Sequence, residues 1–344
     1  MAQARDYGRL TSVAVDGGQV PGDLARMLSG LPALFPDELR AHLLDGLDDA
    51  DGAAVYAWNG SALVLAVSNC PPPVDDARTY GAIAANAALG GVFARGGRPL
   101  MALNLATIPE DMPAEVTVQI LRGAAEQTGA AGAVVAGGHI VGGELHFGLA
   151  VLGTVDPERL IRRSGARPGD RLVLTKPVGV SAIIAAARRG SALPEAMAAA
   201  VGSMLASSAA ASEAAMAAGV RCGVQVAGRG LIGHALEVSR ASGVQIRIRS
   251  DRVPLLPGAL HHTGAGDLPE AARLNRASFA PHTEVGAAVE PLVRELLFAP
   301  ETAGGLLLVV PGAALHRLAT TCAAAGVEAA VVGEACRGRG LLLE

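Results

Sequence analysis

Short apolar runs alternate with longer segments of helical spacing along the first half of the chain. Such runs are typical of buried strands, and two helical patterns over 77–95 and 113–128 separate them. Pro113 suits the first turn of the second helix, because a backbone donor is not needed there. The predicted strands are Ala53–Tyr56, Ala62–Ser68, Met101–Thr107, Ala133–Ala136 and Phe147–Thr154.

The second half repeats this plan after a polar segment. Arg162–Asp170 combines charged residues with glycine and proline, which is typical of a boundary between domains. The pattern predicts an α/β (α+β) fold in two domains, residues 1–160 and 165–344. The predicted strands are Arg171–Thr175, Gln245–Ile248, Gly305–Val310 and Val327–Gly333. The predicted helices are Val180–Arg189, Ala206–Ala218, Ile232–Ser242 and Ala313–Ala325.

Composition narrows the class of protein. Hydrophobic residues make up 51% of the 344 positions but aromatic residues only 3%, which predicts cores of alanine, valine and leucine. A net charge of −4 without a basic stripe gives no electrostatic basis for nucleic-acid binding. The chain starts without an apolar signal region and has no uninterrupted apolar run of the roughly 18 residues that a membrane helix needs. We therefore predict a cytoplasmic protein that binds neither nucleic acid nor membrane.

The four cysteines are scattered along the chain and form no CxxC pair. They are Cys70, Cys222, Cys322 and Cys336. This spacing predicts neither a disulfide framework nor a zinc site.

Six short stretches, in one order across nearly the whole chain, resemble motifs of one enzyme family. That family is selenophosphate synthetase (selenide, water dikinase), within the group that includes aminoimidazole ribonucleotide synthetase. Each motif is weak alone, and their common order and spacing carry the resemblance. The stretches are GAIAANAALGGVFARGGRP (81–99), AGGHIVGGELHFGLAVLGTV (136–155), LTKPVGVSA (174–182), GRGLIGHALE (228–237), LNRASFAPHT (274–283) and PETAGGLLLVV (300–310).

The resemblance implies a two-domain fold like that of aminoimidazole ribonucleotide synthetase. The N-terminal sheet would pair with a second copy to form a homodimeric barrel, next to a C-terminal α/β domain. ATP would lie in a cleft between the domains, with its phosphates held through Mg²⁺ ions that aspartates bridge. Carboxylates suit that role because Mg²⁺ prefers oxygen ligands and must offset phosphate charge. ATP and Mg²⁺ are thus expected from the resemblance alone, and the residues themselves predict no metal site.

Most of the chemical groups that the family uses have no counterpart in this sequence. In the stretch LTSVAVDGGQVPGD (10–23), Gln19 and Gly22 stand where the family has its Cys or selenocysteine and its Lys. Asp51 matches a metal aspartate, but Gly52 and Gly91 replace two other acidic positions. Further neutral residues at acidic positions are Asn69, Gln225 and Ala299. We therefore predict that the metal-dependent mode of the family fails here.

The resemblance also implies that a set of residues lies at the cleft and could contact a ligand. Lys176 is either a phosphate contact or a positional residue at the start of the second domain. Thr302, Gly304 and Gly305 form either an anion-binding backbone nest or an ordinary helix entry. The full set is Asp51, Asn69, Asn86, Gly137, Gly138, His139, Lys176, Gln225, Arg229, Asn275, Thr302, Gly304 and Gly305.

His139 and several candidates outside this set keep two interpretations. His139 is interpreted as part of a tight glycine turn at a domain interface rather than as a catalytic residue. Cys70 is the best replacement nucleophile, although a small half-buried apolar role is favoured. His234 either packs and caps its helix or lines the cleft. The pair His261–His262 is assigned to a surface loop in preference to a metal site.

Arginines offer a different way to hold an anion. Arg95, Arg229 and Arg276 could offset phosphate charge directly, without a metal. Such an arrangement would support binding of an anion better than catalysis.

Three hypotheses about function remain open from the sequence. The first is a catalytically degenerate paralogue that binds a partner, such as an intact family member or a pathway enzyme, as a scaffold or regulator. The second is an enzyme that reuses the cleft for a different small molecule. The third is a divergent but active ATP-dependent selenophosphate synthetase.

Overall fold

The computed structural model describes residues 9, 31, 34–46 and 52–344. Three of the candidate positions, Gln19, Gly22 and Asp51, lie outside the described residues. In the described part of the chain, no helix is long and apolar enough to cross a membrane.

The first half forms one six-stranded sheet with two long helices. Its strands follow the order β1-β2-β3-β6-β4-β5, and all neighbours are antiparallel except β4 and β5. The elements are α1 (Asp37–Arg40), β1 (Leu43–Asp45), β2 (Ala53–Trp58), β3 (Ser61–Cys70), α2 (Ala77–Phe93), β4 (Arg98–Ile108), α3 (Ala114–Ala130), β5 (Val134–Gly142) and β6 (His146–Val155).

The two faces of this sheet meet different surroundings. In β3, Ala62, Val64 and Ala66 are buried beneath α2, whereas Leu65 and Val67 on the opposite face are 54% and 48% exposed. This alternation follows from the period of two of a strand. Helix α2 begins at the cap Asp76, whose carboxylate accepts a hydrogen bond from Thr79 N at 2.7 Å. Capping lowers the pKa of Asp76 below its usual value.

The second half forms a seven-stranded sheet that is flanked by helices. Its strand order is β10-β13-β9-β12-β7-β11-β8. The elements are β7 (Arg171–Leu174), α4 (Val180–Arg188), α5 (Pro194–Leu205), α6 (Ala209–Ala218), β8 (Cys222–Gln225), α7 (Gly230–Ser242), β9 (Gln245–Ile248), α8 (Ala259–Gly264), α9 (Glu270–Phe279), β10 (Thr283–Val285), α10 (Pro291–Phe298), β11 (Leu306–Val310), α11 (Gly312–Ala324), β12 (Ala330–Cys336) and β13 (Gly340–Leu343).

Apolar packing joins the two halves directly. Side chains of α4 and α5, including Ile183 and Met204, belong to the same core cluster as Ile83 and Leu89 of α2. Burial of this continuous apolar surface stabilises the arrangement of the halves. A cleft between them is therefore built from packed elements on both sides.

A buried ionic cluster joins the first half to the segment between the halves. Asp45 at the end of β1 lies 2.9 Å from Arg95 Nε and 2.6 Å from Arg163 Nη2. Both arginines are almost fully buried. Because two buried cations share one carboxylate, this contact is sensitive to removal of that carboxylate.

Most of the predicted elements are confirmed, with ends displaced by a few residues. The strands predicted at 53–56, 62–68, 101–107 and 147–154 are parts of β2, β3, β4 and β6. The mixed α/β class is confirmed as well. Helices α1, α5, α8, α9 and α10 and the short strands β1, β8, β10 and β13 were not predicted. The division into residues 1–160 and 165–344 stays a prediction, which is compatible with sheets that span 43–155 and 171–343.

Two local interpretations are wrong. Gly137, Gly138 and His139 do not form a tight turn at a domain interface: they lie in the exposed edge strand β5 and pair with β4. His262 lies buried in α8 and not on a surface loop. Both of its ring nitrogens have partners inside the protein: Nδ1 lies 3.2 Å from Asp267, and Nε2 accepts a hydrogen bond from Leu193 N at 3.3 Å.

Candidate functional site

A cavity of about 230 Å³ lies where the two halves meet. The end of β3 and one side of α2 form one wall. The others are formed by α4, α7, the start of α9, the loop after β8 and the loop before β11. Its polar lining residues are Ser68, Asn69, Cys70, Ser181, Arg188, Gln225, Arg229, His234, Glu301 and Thr302.

Four of the predicted ligand contacts line this cavity, together with the candidate nucleophile Cys70. The four contacts are Asn69, Gln225, Arg229 and Thr302. The amide of Asn69 donates to Leu105 O at 3.4 Å, and that of Gln225 donates to Ala87 O at 3.3 Å. Gln225 thereby ties the second half to α2.

Other predicted contacts support the walls of the cavity and do not line it. Asn86 donates to Met204 O at 2.7 Å and to Ala206 O at 2.8 Å, which holds the end of α5 against α2. Asn275 donates to Gly228 O at 2.9 Å and to Phe298 O at 3.0 Å. Both amides therefore position backbone that surrounds the cavity.

Lys176 is also a positional residue in this structure. Its ammonium donates to Ser203 O at 3.0 Å, Ala206 O at 2.6 Å and Ala303 O at 2.8 Å. Three carbonyls occupy its three donors, which leaves no donor for a phosphate. Burial lowers the pKa of Lys176 to about 8, although Glu301 acts in the opposite direction.

The two glycines after Thr302 are needed for close packing. A Cβ on Gly304 would lie 2.2 Å from Val226 O, and one on Gly305 would lie 2.6 Å from Lys176 N. Neither glycine lines the cavity. Of the three residues of the predicted anion-binding nest, only Thr302 therefore lies at the cavity wall.

Two of the three arginines suggested as anion contacts lie elsewhere. Arg95 belongs to the ionic cluster with Asp45, and Arg276 pairs with Glu295 at 2.8 Å. Neither lines the cavity, whereas Arg229 does. Arg188, which was not among the suggested anion contacts, is the second arginine of the lining.

Cys70 lines the cavity as a protonated thiol. Burial raises its pKa to about 12, against a smaller opposite effect of Arg188. A thiol reacts as its thiolate, so this environment disfavours a nucleophilic role.

Glu301 is the candidate residue that sequence reasoning missed. Its carboxyl is buried at the N-terminus of α4, where Gly179 N donates to Oε1 at 2.6 Å and Val180 N donates to Oε2 at 3.2 Å. Burial raises its pKa to about 8, although both backbone donors and Lys176 oppose that rise. The available signal was the glutamate of PETAGG, a carboxylate inside one of the six stretches that carry the family resemblance.

Comparison with known proteins assigns the chain to a family. Residues 50–155 match the N-terminal domain, and residues 167–343 the C-terminal domain, of the AIR synthase related proteins. Selenide, water dikinase of Clostridioides difficile is 33% identical over 96% of each chain. The protein of the same name from Desulfitobacterium hafniense is 39% identical over 91% of each.

The chain belongs to the selenophosphate synthetase family.

Solved structures agree on the fold. Thiamine-monophosphate kinase from Stenotrophomonas maltophilia has a TM-score of 0.67 at 16% identity and covers 94% of this chain and 95% of its own. The hydrogenase maturation protein HypE has a TM-score of 0.62 at 17% identity, with 90% and 94% covered. At these identities the likeness concerns the fold alone.

Proposed function

We propose that this selenophosphate synthetase-like protein has a degenerate active site and acts as a partner-binding or regulatory paralogue in the cytoplasm. The supporting observation is the charge of the cavity. Among the described residues, Glu301 is the only acidic side chain that lines it, against Arg188 and Arg229. The described part of the chain also holds no cluster of three or more His, Cys, Asp or Glu side chains suited to a metal.

At two glycines of the cavity lining, neighbouring atoms also leave no room for a carboxylate side chain. A Cβ on Gly52 would lie 2.5 Å from Val67 O, and one on Gly91 would lie 2.8 Å from Ala66 Cβ. Any acidic side chain at these positions needs the backbone of the sheet or the helix to shift. The described lining residues therefore do not fit Mg²⁺-ATP, which requires several carboxylates to hold its cations.

Phosphorus NMR tests the loss of the dikinase reaction. The purified chain is given Mg²⁺-ATP and selenide, next to the Clostridioides difficile relative as a positive control. We expect selenophosphate from the relative and none from this chain, because the described cavity lining lacks the carboxylates that would hold the Mg²⁺ ions. Selenophosphate from this chain would make it an active, divergent synthetase and overturn the proposal.

The partner surface that we propose is the uncovered face of the first sheet. Leu65 and Val67 on β3 and Met101 and Leu103 on β4 share this face and are 38–54% exposed. An apolar face of this kind favours association with a matching surface. The proposed occupant is a second copy of the chain, and an intact family member with the same sheet would be the heteromeric partner.

Light scattering at micromolar concentration tests the homodimer. Leu103→Lys puts a charge on the proposed interface and should convert the dimer to monomers. Val118→Lys is the matched control, since Val118 is 50% exposed but lies on α3. A monomeric wild-type chain, or a Leu103→Lys variant that stays dimeric, contradicts this surface.

A second candidate function is that the cavity binds a different small molecule. Ten polar side chains from both halves of the chain line the cavity of about 230 Å³. A concave pocket with convergent polar groups is typical of a small-molecule site.

A further inference from the structure

A second concavity, of about 550 Å³, lies at one end of the second sheet and shares no lining residue with the cavity between the halves. Its polar side chains are exposed or half-buried, so their donors and acceptors are accessible from it. We call it the arginine notch, after its lining residues Arg240 and Arg339. The other polar side chains of the lining are Gln245, His282, Thr283 and Glu284.

The arginine notch lies where three neighbouring strands begin. Strands β9, β13 and β10 are parallel to one another. Gln245 is the register partner of Gly340, and Leu341 is that of Thr283. Because parallel strands start at the same edge of a sheet, residues at their first positions lie side by side. Helix α7 ends just before β9, so Arg240 in its last turn lies at this edge too.

A serine hydroxyl holds together the two segments that carry the arginines. Ser239 Oγ accepts a hydrogen bond from Gly340 N at 3.1 Å and lies 3.0 Å from Gly340 O. Arg240 follows Ser239 in the chain, and Arg339 precedes Gly340. The turn that carries Arg339 needs glycine on both sides, because Gly338 and Gly340 have φ angles of +127° and +84°. The fold therefore places both arginines at one notch.

The protein does not neutralise either of these guanidinium groups. The described part of the chain supplies no ion pair and no hydrogen bond to the side chain of Arg240 or Arg339. Other exposed arginines of the second half differ in this respect, since Arg171, Arg273 and Arg276 each pair with a glutamate. The two positive charges of the arginine notch are therefore available to a ligand.

A helix end accounts for only one of these charges. A cation in the last turn of a helix is favourable, which suits Arg240 in α7, whereas Arg339 lies in a turn between two strands. Two like charges beside one notch repel each other. Glu284, the only acidic residue of the described lining, pairs with neither arginine. An anion in the arginine notch would offset this repulsion.

The lining also favours one class of anion. A guanidinium group donates two parallel hydrogen bonds to a phosphate, so two arginines match one phosphate dianion. About 550 Å³ is within the roughly 300–1,000 Å³ of small-molecule sites and is more than a lone phosphate fills. The side chains of Gln245 and Glu284 make no hydrogen bond to any described residue, and both can bind hydroxyl groups.

We propose that the arginine notch binds a sugar phosphate, with Arg240 and Arg339 on the phosphate and Gln245 and Glu284 on the sugar hydroxyls. The site is separate from the cavity between the halves. The proposal therefore goes beyond the partner-binding function and does not depend on it.

Calorimetry on the full chain at low salt tests the proposal with glucose 6-phosphate, inorganic phosphate and glucose. We expect glucose 6-phosphate to bind at least about threefold more tightly than inorganic phosphate, because its hydroxyls add hydrogen bonds. Glucose should bind at least about tenfold more weakly than its phosphate, because the charge-assisted hydrogen bonds are lost. Added salt should weaken the binding of both anions, since the two arginines are exposed.

Substitutions identify the contacts. Arg240→Gln and Arg339→Gln should each lower the affinity for glucose 6-phosphate at least about tenfold. Gln245→Ala should weaken glucose 6-phosphate and leave inorganic phosphate unchanged, because it removes a sugar contact alone. The matched control is Arg317→Gln, since Arg317 is also exposed but lies on α11, outside the arginine notch. Thermal midpoints near that of the wild type show that each variant is folded.

Two results would overturn the proposal. One is a wild-type chain that does not bind glucose 6-phosphate, or one whose affinity falls as much in Arg317→Gln as in Arg240→Gln. The other is equal affinity for glucose 6-phosphate and inorganic phosphate, which would make the arginine notch a simple anion site that does not recognise a sugar.

Discussion

Replacement of Glu301 by Gln should change how the stability of the protein depends on pH. Gln is the neutral isostere of the protonated carboxyl, and its oxygen can still accept from Gly179 N. In the folded chain, burial raises the pKa of Glu301 from 4.5 to about 8. The folded state therefore binds this proton more tightly than the unfolded state between those two values, and stability falls as the pH rises through that interval.

The size of the effect follows from the same values. Each pH unit within this interval is worth about 1.4 kcal/mol for one proton. As the pH rises from 4.5 to 8, the titration of Glu301 therefore lowers the free energy of unfolding by up to about 5 kcal/mol in total. Measurements stop at pH 8 because burial lowers the pKa of Lys176 to about 8, and its titration above that value acts in the opposite direction.

Urea unfolding at pH 5, 6, 7 and 8 is the assay. We expect Glu301→Gln to unfold near the wild type at pH 5 and to become more stable than the wild type by several kcal/mol at pH 8. The control is Glu290→Gln, since Glu290 also accepts two backbone N–H groups at a helix start but is exposed. Parallel pH profiles for the wild type and Glu301→Gln would refute the reasoning.

Three further predictions concern other parts of the molecule. Asp45→Asn should destabilise the fold by about 3–5 kcal/mol in urea unfolding, because two buried arginines lose their shared carboxylate; a loss below about 1 kcal/mol would contradict a buried ionic cluster. Cys70 and Cys336 are both half-buried, but at pH 8 iodoacetamide should modify Cys70 much more slowly, since burial of its thiol raises the pKa of Cys70 to about 12; equal rates measured by mass spectrometry would argue against this. Gly91→Asp should lower the thermal midpoint of unfolding, because the Cβ of the new side chain would lie 2.8 Å from Ala66 Cβ and force α2 away from β3. It should not create Mg²⁺-ATP binding in calorimetry; tight, chelator-sensitive binding would show that the helix can move aside.

Much of the fold follows from local pattern. The continuous apolar run over 62–67 was enough to predict that β3 is a strand, because short apolar runs bounded by polar or turn residues are typical of buried strands. Which face of the strand packs against α2 was decided by the tertiary structure, since the residues on both faces are apolar and only Ala62, Val64 and Ala66 are buried there. The family likewise followed from motifs whose order is visible without coordinates.

The strands that were not predicted are the short ones. Strands β8, β10 and β13 are only three or four residues long, and the pairing partner of each lies elsewhere in the chain. Short strands gain little from their own sequence and depend on the ladder that accepts them.

The roles of polar residues were decided by tertiary structure. Lys176 has the residue type for a phosphate contact, but its partners are carbonyls 27, 30 and 127 positions away. His234 and Ser181 meet at one cavity only because α4 and α7 pack around it. The sequence shows which donors and acceptors exist, whereas a hydrogen bond needs a partner within about 3 Å, and that distance is set by long-range packing.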